Sequence, residues 1–400
     1  MIEEITDLLN NHDYDVRKTG DARFMDQKCT PDVVSIIADC VVNLTNNDPA
    51  ISFTVRDIWD SSYFIQNVKA VFNKPDAKNQ TTKSEYDKFI QQPLRLFAYA
   101  GILNINKSGR SNIYTVTAPR ILEYISLKER NAFIFLYNYL IKVMTDSYMI
   151  RYFELFKNKH ESKKLTQEDF LFLKNRYTKF IKGNTNIQRD FEIPRIFNKI
   201  INIYSTYNNL PGSERGKLTK HEYTFSDLMY NKKNWRDLNK GKNISRQENA
   251  VLNSETDNND SAYDNYLVQK AIRTIKNLYL ESEVNDQWAN GEATQVHHIF
   301  PKSKFPQLSA YLENLIKLTP TQHYTKAHPS NRTDDINTDY QLTCLLAKCD
   351  SIEKSLKMGQ YYYRKESFIH VINIGLNQQI NSTILFGDIK IQLSRLYNYL

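Results

Sequence analysis

Apolar residues recur at helical spacing along most of this chain, and this periodicity restricts the fold more than any other feature. It is clearest in three successive segments, PDVVSIIADCVVNL, VRDIWDSSYFIQNVKAVF and YDKFIQQPLRLFAYAGIL. Side chains three and four positions apart lie on one face of a helix, so each segment can bury an apolar stripe. Glycine and proline number only 11 each, which argues against a turn-dense all-β protein. We therefore expect a mainly α fold with small β elements (α+β).

A stretch of alternating polarity directly follows the third helical segment. Residues 103–117, LNINKSGRSNIYTVT, alternate around a turn that carries Lys107 and Arg110, and this pattern predicts a β-hairpin. Three helices followed by a hairpin is the order of a winged helix, in which the third helix enters the major groove of DNA. We therefore expect residues 1–127 to form a winged-helix-like DNA-recognition domain, with Lys107 and Arg110 contacting phosphates. A helical bundle with an added hairpin has the same order and remains the alternative.

The excess positive charge of the chain is concentrated in its middle. Residues 151–250 contain 21 of the 53 lysines and arginines but only 11 of the 45 aspartates and glutamates, and the remaining residues carry 32 against 34. A concentrated basic surface suits a polyphosphate partner, and a solvated lysine-rich surface is the alternative. We expect residues 128–251 to form a helical, basic DNA-binding region.

The segment LNSETDNNDSAY at 252–263 has the polar composition of a linker, and we place the main domain boundary there. Residues 264–400 would then form a C-terminal domain that is helical beyond residue 338. The longest apolar run, at 133–144, is too short to span a bilayer, so we expect no membrane association. We find no internal repeats in the sequence.

The cysteines indicate a reducing compartment. The four of them, at positions 29, 40, 344 and 349, form no CxxC pair, and buried reduced thiols account for them. The N-terminal stretch MIEEITDLLNN is acidic and polar, unlike a signal peptide. Both features favour a cytoplasmic protein.

Four of the eight histidines lie close together in the sequence, at positions 297, 298, 323 and 328. Adjacent residues on a strand face opposite sides, so His297 could share a metal with His323 while His298 acts as a base. His323 and His328 are five residues apart and do not stack on an α-helix, so only a helix that ends near His328 would turn both inward. A structural zinc site or core histidines are the alternatives. His370 falls on the apolar face of a predicted helix, and we interpret it as structural.

The segments HHIFPKS and QHYTKAHP, with Asn314 between them, resemble the HNH endonuclease motif, also called the ββα-metal finger. The likeness covers about 40 residues of the chain. It implies that His297 is the first metal ligand and that His298 is the general base. Asn314 would fix the loop and orient that base. His323 and His328 would supply the remaining ligands from the helix.

The resemblance also implies an activity. HNH enzymes use one divalent ion and leave 5′-phosphate ends, and we expect Mg²⁺ or Mn²⁺ in use, with Ni²⁺ or Zn²⁺ as alternatives for imidazole ligands. Many members hold a structural zinc with cysteines, where this chain has Thr319 and Gln322, so we expect no such zinc.

A recognition domain joined to a cleavage domain resembles a type IIS restriction endonuclease acting on double-stranded DNA. Such an enzyme works beside a cognate DNA methyltransferase and pairs transiently as a homodimer to cut both strands. The alternatives are a winged-helix regulator with an inactive finger and an RNA-targeting defence nuclease.

Overall fold

The computed structural model describes residues 1–72, 83–109, 111–189, 191–230, 257–328 and 337–397. Over these ranges the chain is mainly helical with three two-stranded antiparallel sheets, which confirms the predicted class. It divides into two compact units, Met1–Asp257 and Asn258–Leu400. Among the described residues, no helix has both the length and the apolarity needed to cross a membrane.

The first unit begins with helices and a hairpin close to the predicted positions. In chain order these elements are α1 (Ile2–Asn10), α2 (Val16–Thr19), α3 (Pro31–Thr45), α4 (Val55–Asp60), α5 (Ser62–Phe72), α6 (Lys83–Tyr99), β1 (Leu103–Ser108) and β2 (Ser111–Val116). The second predicted helix is divided in two at Ser61. The hydroxyl of Ser61 donates to the carbonyl of Ile58 and accepts from the amide of Phe64, so it ends α4 and starts α5.

An isolated β-bridge pairs Phe53 with Tyr114 of strand β2. The amide of Phe53 donates to the carbonyl of Tyr114 at 2.9 Å, and the amide of Tyr114 donates back at 2.8 Å. The two rings stack with their centroids 5.8 Å apart. Because Phe53 directly precedes the capping residue Thr54, the bridge fixes the start of α4 beside the hairpin.

The rest of the first unit contains further helices and one hairpin that the sequence did not predict. The elements are α7 (Pro119–Leu127), α8 (Glu129–Asp146), α9 (Ile150–Glu161), α10 (Gln167–Asn184), α11 (Glu192–Asn208), β3 (Pro211–Glu214) and β4 (Lys217–Glu222). Residues 231–251 of the expected basic region lie outside the described residues. Cys29 and Cys40 of this unit, like the two cysteines of the second unit, are buried free thiols, as expected.

The second unit contains the strand, loop, strand and helix expected around the histidines. Its elements are α12 (Asp257–Leu278), β5 (Gln295–His298), β6 (Leu315–Leu318), a π-helical turn (Gln322–Ala327), α13 (Thr338–Lys357), α14 (Lys365–Gly375) and α15 (Phe386–Tyr397). Residues 257–263 belong to α12, although we expected them in a linker, and residues 252–256 lie outside the described residues. Strands β5 and β6 pair antiparallel, with His298 opposite Leu315.

Candidate metal centre

Strand β5 turns its two adjacent histidines to opposite sides, as the pleat of a strand requires. His297 is 8% exposed and its ring lies against those of His323 and His328. His298 is half-buried, and its Nε2 atom lies 3.0 Å from the carbonyl oxygen of Ser309. The doublet therefore serves two separate environments, one on each face of the strand.

Three imidazoles form a compact cluster. The ring centroids of His297 and His328 are 4.7 Å apart, those of His323 and His328 are 4.9 Å apart, and those of His297 and His323 are 5.4 Å apart. One nitrogen from each ring lies within 4.8 Å of the other two. Two ligands of one ion, each about 2.1 Å from it, lie at most about 4.2 Å apart, so small side-chain rotations suffice to bring all three to a common ion.

The π-helical turn explains how residues five apart reach the same cluster. The amide of His328 donates to the carbonyl of His323 at 3.0 Å, a bond that spans five residues instead of the four of an α-helix. The wider turn brings position 328 round to the side of position 323. His323 and His328 would not share a face on an α-helix, but the π turn places them on the same side. Turns of this kind are frequent at functional sites.

The cluster has the chemistry of a cation site. The Nδ1 atoms of His323 and His328 are buried and have no hydrogen-bond partner among the described residues. Burial, followed by the neighbouring imidazoles, holds the pKa of His297 well below its usual value, and burial together with His328 lowers the pKa of His323 to about 4. These rings are therefore neutral near pH 7, the form that binds a metal, and an ion would satisfy the buried nitrogens.

Only three described side chains supply ligands to the cluster. Structural zinc sites normally use four protein ligands, whereas catalytic sites use three and leave a position for water. Among the described residues, the donor set thus has the three-ligand composition seen in catalytic sites.

The hydrogen bond to Ser309 determines the chemistry of His298. A carbonyl oxygen can only accept, so Nε2 carries the hydrogen, and Nδ1 of the neutral ring keeps its lone pair. Burial lowers the pKa of His298, the bond to Ser309 opposes that effect, and the nearby charge of Lys302 lowers the pKa further. The ring is thus held in the neutral state and in one orientation, as a general base requires.

Asn314 holds the loop that orients His298. It is fully buried; its Oδ1 accepts from the amide of Phe300 at 2.8 Å, and its Nδ2 donates to the carbonyls of Phe300 and Leu308 at 3.0 and 3.2 Å. Leu308 directly precedes Ser309, whose carbonyl receives the hydrogen of His298. Asn314 takes no part in the histidine cluster, so we regard it as a positioning residue.

A hydrogen-bonded network surrounds Thr319 and Gln322, the positions at which many HNH proteins carry zinc-binding cysteines. Gln322 is fully buried; its Oε1 accepts from the hydroxyl of Ser282 at 2.6 Å and the amide of Thr319 at 3.0 Å. Its Nε2 donates to the carbonyl of Val284 at 2.8 Å and to Asp286 at 2.9 Å. One amide side chain therefore ties the start of the π turn to the loop before β5, a role that could not be predicted from the sequence.

A fully buried ion pair supports strand β6 from the other side. The ammonium of Lys348 lies 2.9 Å from Glu283, and both side chains are inaccessible to solvent. Glu283 also accepts from the backbone amide of Lys317 at 2.9 Å. The pair therefore joins α13 to the strand that precedes the π turn.

Comparison with known proteins adds no further constraint. No protein-family model, no curated protein and no solved structure matches this chain. The function must therefore be inferred from the site itself.

The remaining residues singled out from the sequence lie elsewhere. Lys107 is exposed on strand β1, whereas Arg110 lies outside the described residues. His370 is exposed, with its ring 5.4 Å from that of Tyr311, so the expectation that it lies on the buried face of its helix was wrong. It is separate from the cluster of three histidines.

Proposed function

We propose that this chain is a metal-dependent endonuclease of the HNH type that hydrolyses phosphodiester bonds in double-stranded DNA. The observation that carries the proposal is the arrangement around β5. His297 joins a three-imidazole cluster on one face, while His298 is held neutral, with one nitrogen lone pair free, on the other. A nuclease needs both functions within one substrate's reach.

The residues divide the reaction between them. His298, oriented by Ser309, takes a proton from the attacking water through Nδ1, a contribution of about 10²–10⁴-fold. His297, His323 and His328 hold a divalent ion, which when bound supplies Lewis-acid stabilisation to the phosphoryl and leaving oxygens. The charge of Lys302, which influences the pKa of His298, favours the approach of an anionic phosphate to the base.

We assign DNA recognition to the first unit. The exposed side of α6 presents Lys88 and Arg95, and the hairpin that follows presents Lys107. A helix followed by a hairpin, with the Phe53 bridge as a third strand, supports a winged-helix assignment in which α6 enters the major groove. Recognition and cleavage in separate units favour a type IIS-like restriction enzyme that cuts beside its recognised sequence, in the cytoplasm and beside a cognate methyltransferase.

Digestion of a long duplex tests the proposal. The purified chain, supplied with Mg²⁺, Mn²⁺, Ni²⁺ or Zn²⁺, should cut at fixed distances from one recurring sequence, and run-off sequencing of the ends should map them and find 5′-phosphates. His298→Ala should lower the cleavage rate about 10²–10⁴-fold while still binding one ion per chain. His297→Ala should weaken both cleavage and ion binding. His370→Ala, at an exposed histidine outside the cluster, is the matched control and should behave as wild type.

Three outcomes would contradict parts of this proposal. Duplex binding without cleavage under every metal would favour a regulator with an inactive finger. Preferential hydrolysis of RNA would favour a defence ribonuclease. Cuts in both strands within the recognised bases would exclude the type IIS arrangement.

A further inference from the structure

Among the described residues of the first unit, a run of helices that leads into a hairpin occurs twice. Helices α3 to α6 lead into the β1–β2 hairpin, and helices α9, α10 and α11 lead into the β3–β4 hairpin. In both sets a capping box starts the helix after the first, formed by Thr54 with Asp57 and by Thr166 with Asp169. We call the segment Ile150–Glu222 the second module.

The two connections from helix to hairpin are built alike. After α6, Gly101 has a positive φ of 78°, and the amide of Ile102 donates to the carbonyl of Phe97 at 2.8 Å. The amide of Thr117, at the end of the hairpin, then donates to the carbonyl of Ile102 at 2.9 Å.

After α11 the same pattern returns. Asn209 has a positive φ of 55°, the amide of Leu210 donates to the carbonyl of Ser205 at 2.8 Å, and the amide of Tyr223 donates to the carbonyl of Leu210 at 2.8 Å. Each helix therefore ends with a left-handed residue and a bond spanning five residues, and the residue that follows binds the far end of its hairpin. The β3–β4 hairpin is therefore connected to α11 in the same way as the β1–β2 hairpin is connected to α6.

The face of α11 that corresponds to the exposed face of α6 is covered. When Gly101 is aligned with Asn209, Gln91 and Arg95 of α6 correspond to Lys199 and Ile203 of α11. Ile203 is 2% exposed and lines a small cavity with Cys29 and other residues that precede and begin α3. This part of the second module packs within the protein, so α11 cannot insert that face into a DNA groove.

The second hairpin nevertheless carries unpaired positive charge at its exposed end. Arg215 and Gly216 both have positive φ, at 50° and 78°, which makes the tight turn that exposes Arg215 and Lys217. A Cβ atom at Gly216 would lie 3.5 Å from the ammonium of Lys174, so that charge also lies at the turn. None of these three cations forms an ion pair with a described residue, whereas Lys159 and Arg189 of the same module do.

We propose that the second module binds the phosphate backbone of duplex DNA, without reading bases, through Arg215 and Lys217 at the tip of its hairpin and Lys174 of α10 beside it. The unpaired cations supply affinity that is independent of sequence, because phosphates carry no base information. Reading of bases is left to the first set, whose helix face is exposed. This inference rests on the proposed function, since it names a second contact with the same substrate.

Salt-dependent binding tests the role of the hairpin. We compare wild type with the double variant Arg215→Gln/Lys217→Gln, and with Lys18→Gln/Lys128→Gln as a control that removes the same charge elsewhere in the unit. Binding of duplexes with and without the recognised sequence is measured by fluorescence anisotropy in metal-free buffer at several salt concentrations. The logarithm of the binding constant falls linearly with the logarithm of the salt concentration. Each lost phosphate contact makes this fall less steep by about 0.9.

We expect the salt dependence of the hairpin variant to be less steep than that of wild type by about 1.8. Its affinity should fall by the same factor on both duplexes, and the cleavage position should not change. The control variant should keep the wild-type slope. A wild-type slope in the hairpin variant, while wild type still binds and cleaves DNA, overturns the inference alone. A hairpin variant that weakens only binding of the recognised sequence also overturns it, because the contact would then read bases. Wild type that binds no duplex at any salt overturns the proposed function itself.

Discussion

The single acceptor beside His298 defines what that residue can do. Because the carbonyl of Ser309 takes the Nε2 hydrogen, the ring has one tautomer and one free nitrogen in its neutral form. The opposite facing of His297 and His298 could be predicted from the sequence, since adjacent residues on any strand alternate sides. Ser309 could not be predicted, because it lies eleven residues away in a loop whose path depends on the buried amide of Asn314.

Protonation of the buried imidazoles should make the metal-free protein sensitive to mild acid. Burial lowers the pKa of His297 and of His323, the latter to about 4, whereas an unfolded histidine has a pKa of about 6.5. Between these values the unfolded chain binds more protons than the native one, so stability is full above about pH 6.5 and falls as the pH drops toward the native pKa. Urea unfolding in the presence of a chelator, from about pH 7.5 to about pH 5, should show this loss.

A variant at the cluster provides the comparison for this acid sensitivity. His323→Gln removes one titrating ring, so its free energy of unfolding should depend less steeply on pH than that of wild type. His370→Gln changes an exposed histidine outside the cluster and should keep the wild-type dependence. Parallel pH profiles for wild type and His323→Gln would contradict the assignment of a depressed pKa to that ring.

Among the elements, helices with strong apolar periodicity were predictable and their interruptions were not. The segment from Val55 to Phe72 has one continuous apolar pattern, yet Ser61 divides it, because its hydroxyl competes for local backbone groups. The π turn was equally hidden. Its single extra residue can be recognised only when the bond from His328 to His323 is known. Periodicity reports which face is apolar, but it does not report which backbone bond closes each turn.

The network around Gln322 should behave as a support for the three-histidine cluster. Gln322→Ala removes the side chain that accepts from Ser282 and Thr319 and donates to Val284. Ser282 and Val284 still bond to each other, but the buried amide of Thr319 loses its partner, which costs about 1–3 kcal/mol of stability. The π turn that carries His323 also loses its tie to the loop before β5. We expect ion affinity to fall about 10–100-fold, the usual effect of removing an outer support, as measured by calorimetric titration.

A residue in the same loop serves as the control for the Gln322 network. Gln287 is exposed and none of its side-chain atoms takes part in the described hydrogen bonds, so Gln287→Ala should keep wild-type affinity and stability. A Gln322→Ala protein that is destabilised but binds the ion as tightly as wild type would limit Gln322 to a purely structural role.

At the scale of the whole molecule, composition indicated where charge lies but not how it is presented. The excess of lysine and arginine in residues 151–250 was visible in the sequence, whereas the second hairpin was not. Its first strand reads Pro-Gly-Ser-Glu, a sequence typical of a loop. Gly212 lies against the ring of Tyr223, where a Cβ atom would approach to 2.6 Å, so the glycine permits the strand to pack there. Tertiary contact therefore overrides a weak local preference for strand.

Under the proposed function, one cluster of histidines would have to serve the cutting of both strands. The described residues contain a single three-histidine site, and a single site of this kind would hydrolyse one phosphodiester at a time. The strands of a duplex run in opposite directions, so a second break needs either a second chain or a reoriented one. We expect transient pairing of two chains. On a circular plasmid with one recognised site, nicked circles should then accumulate at low protein concentration, and the rate of linear product should rise with about the second power of concentration.

Mixing the wild-type protein with His298→Ala separates pairing from repeated nicking. A mixed pair retains DNA binding and one working base, so adding the variant in excess should convert linear product into nicked circles without stopping the first cut. If each chain instead works alone and reorients, the variant only competes for DNA. It then lowers nicking and linearisation in equal proportion, with both rates first order in wild-type protein. That result would exclude pairing and would show that a single chain makes both cuts in succession.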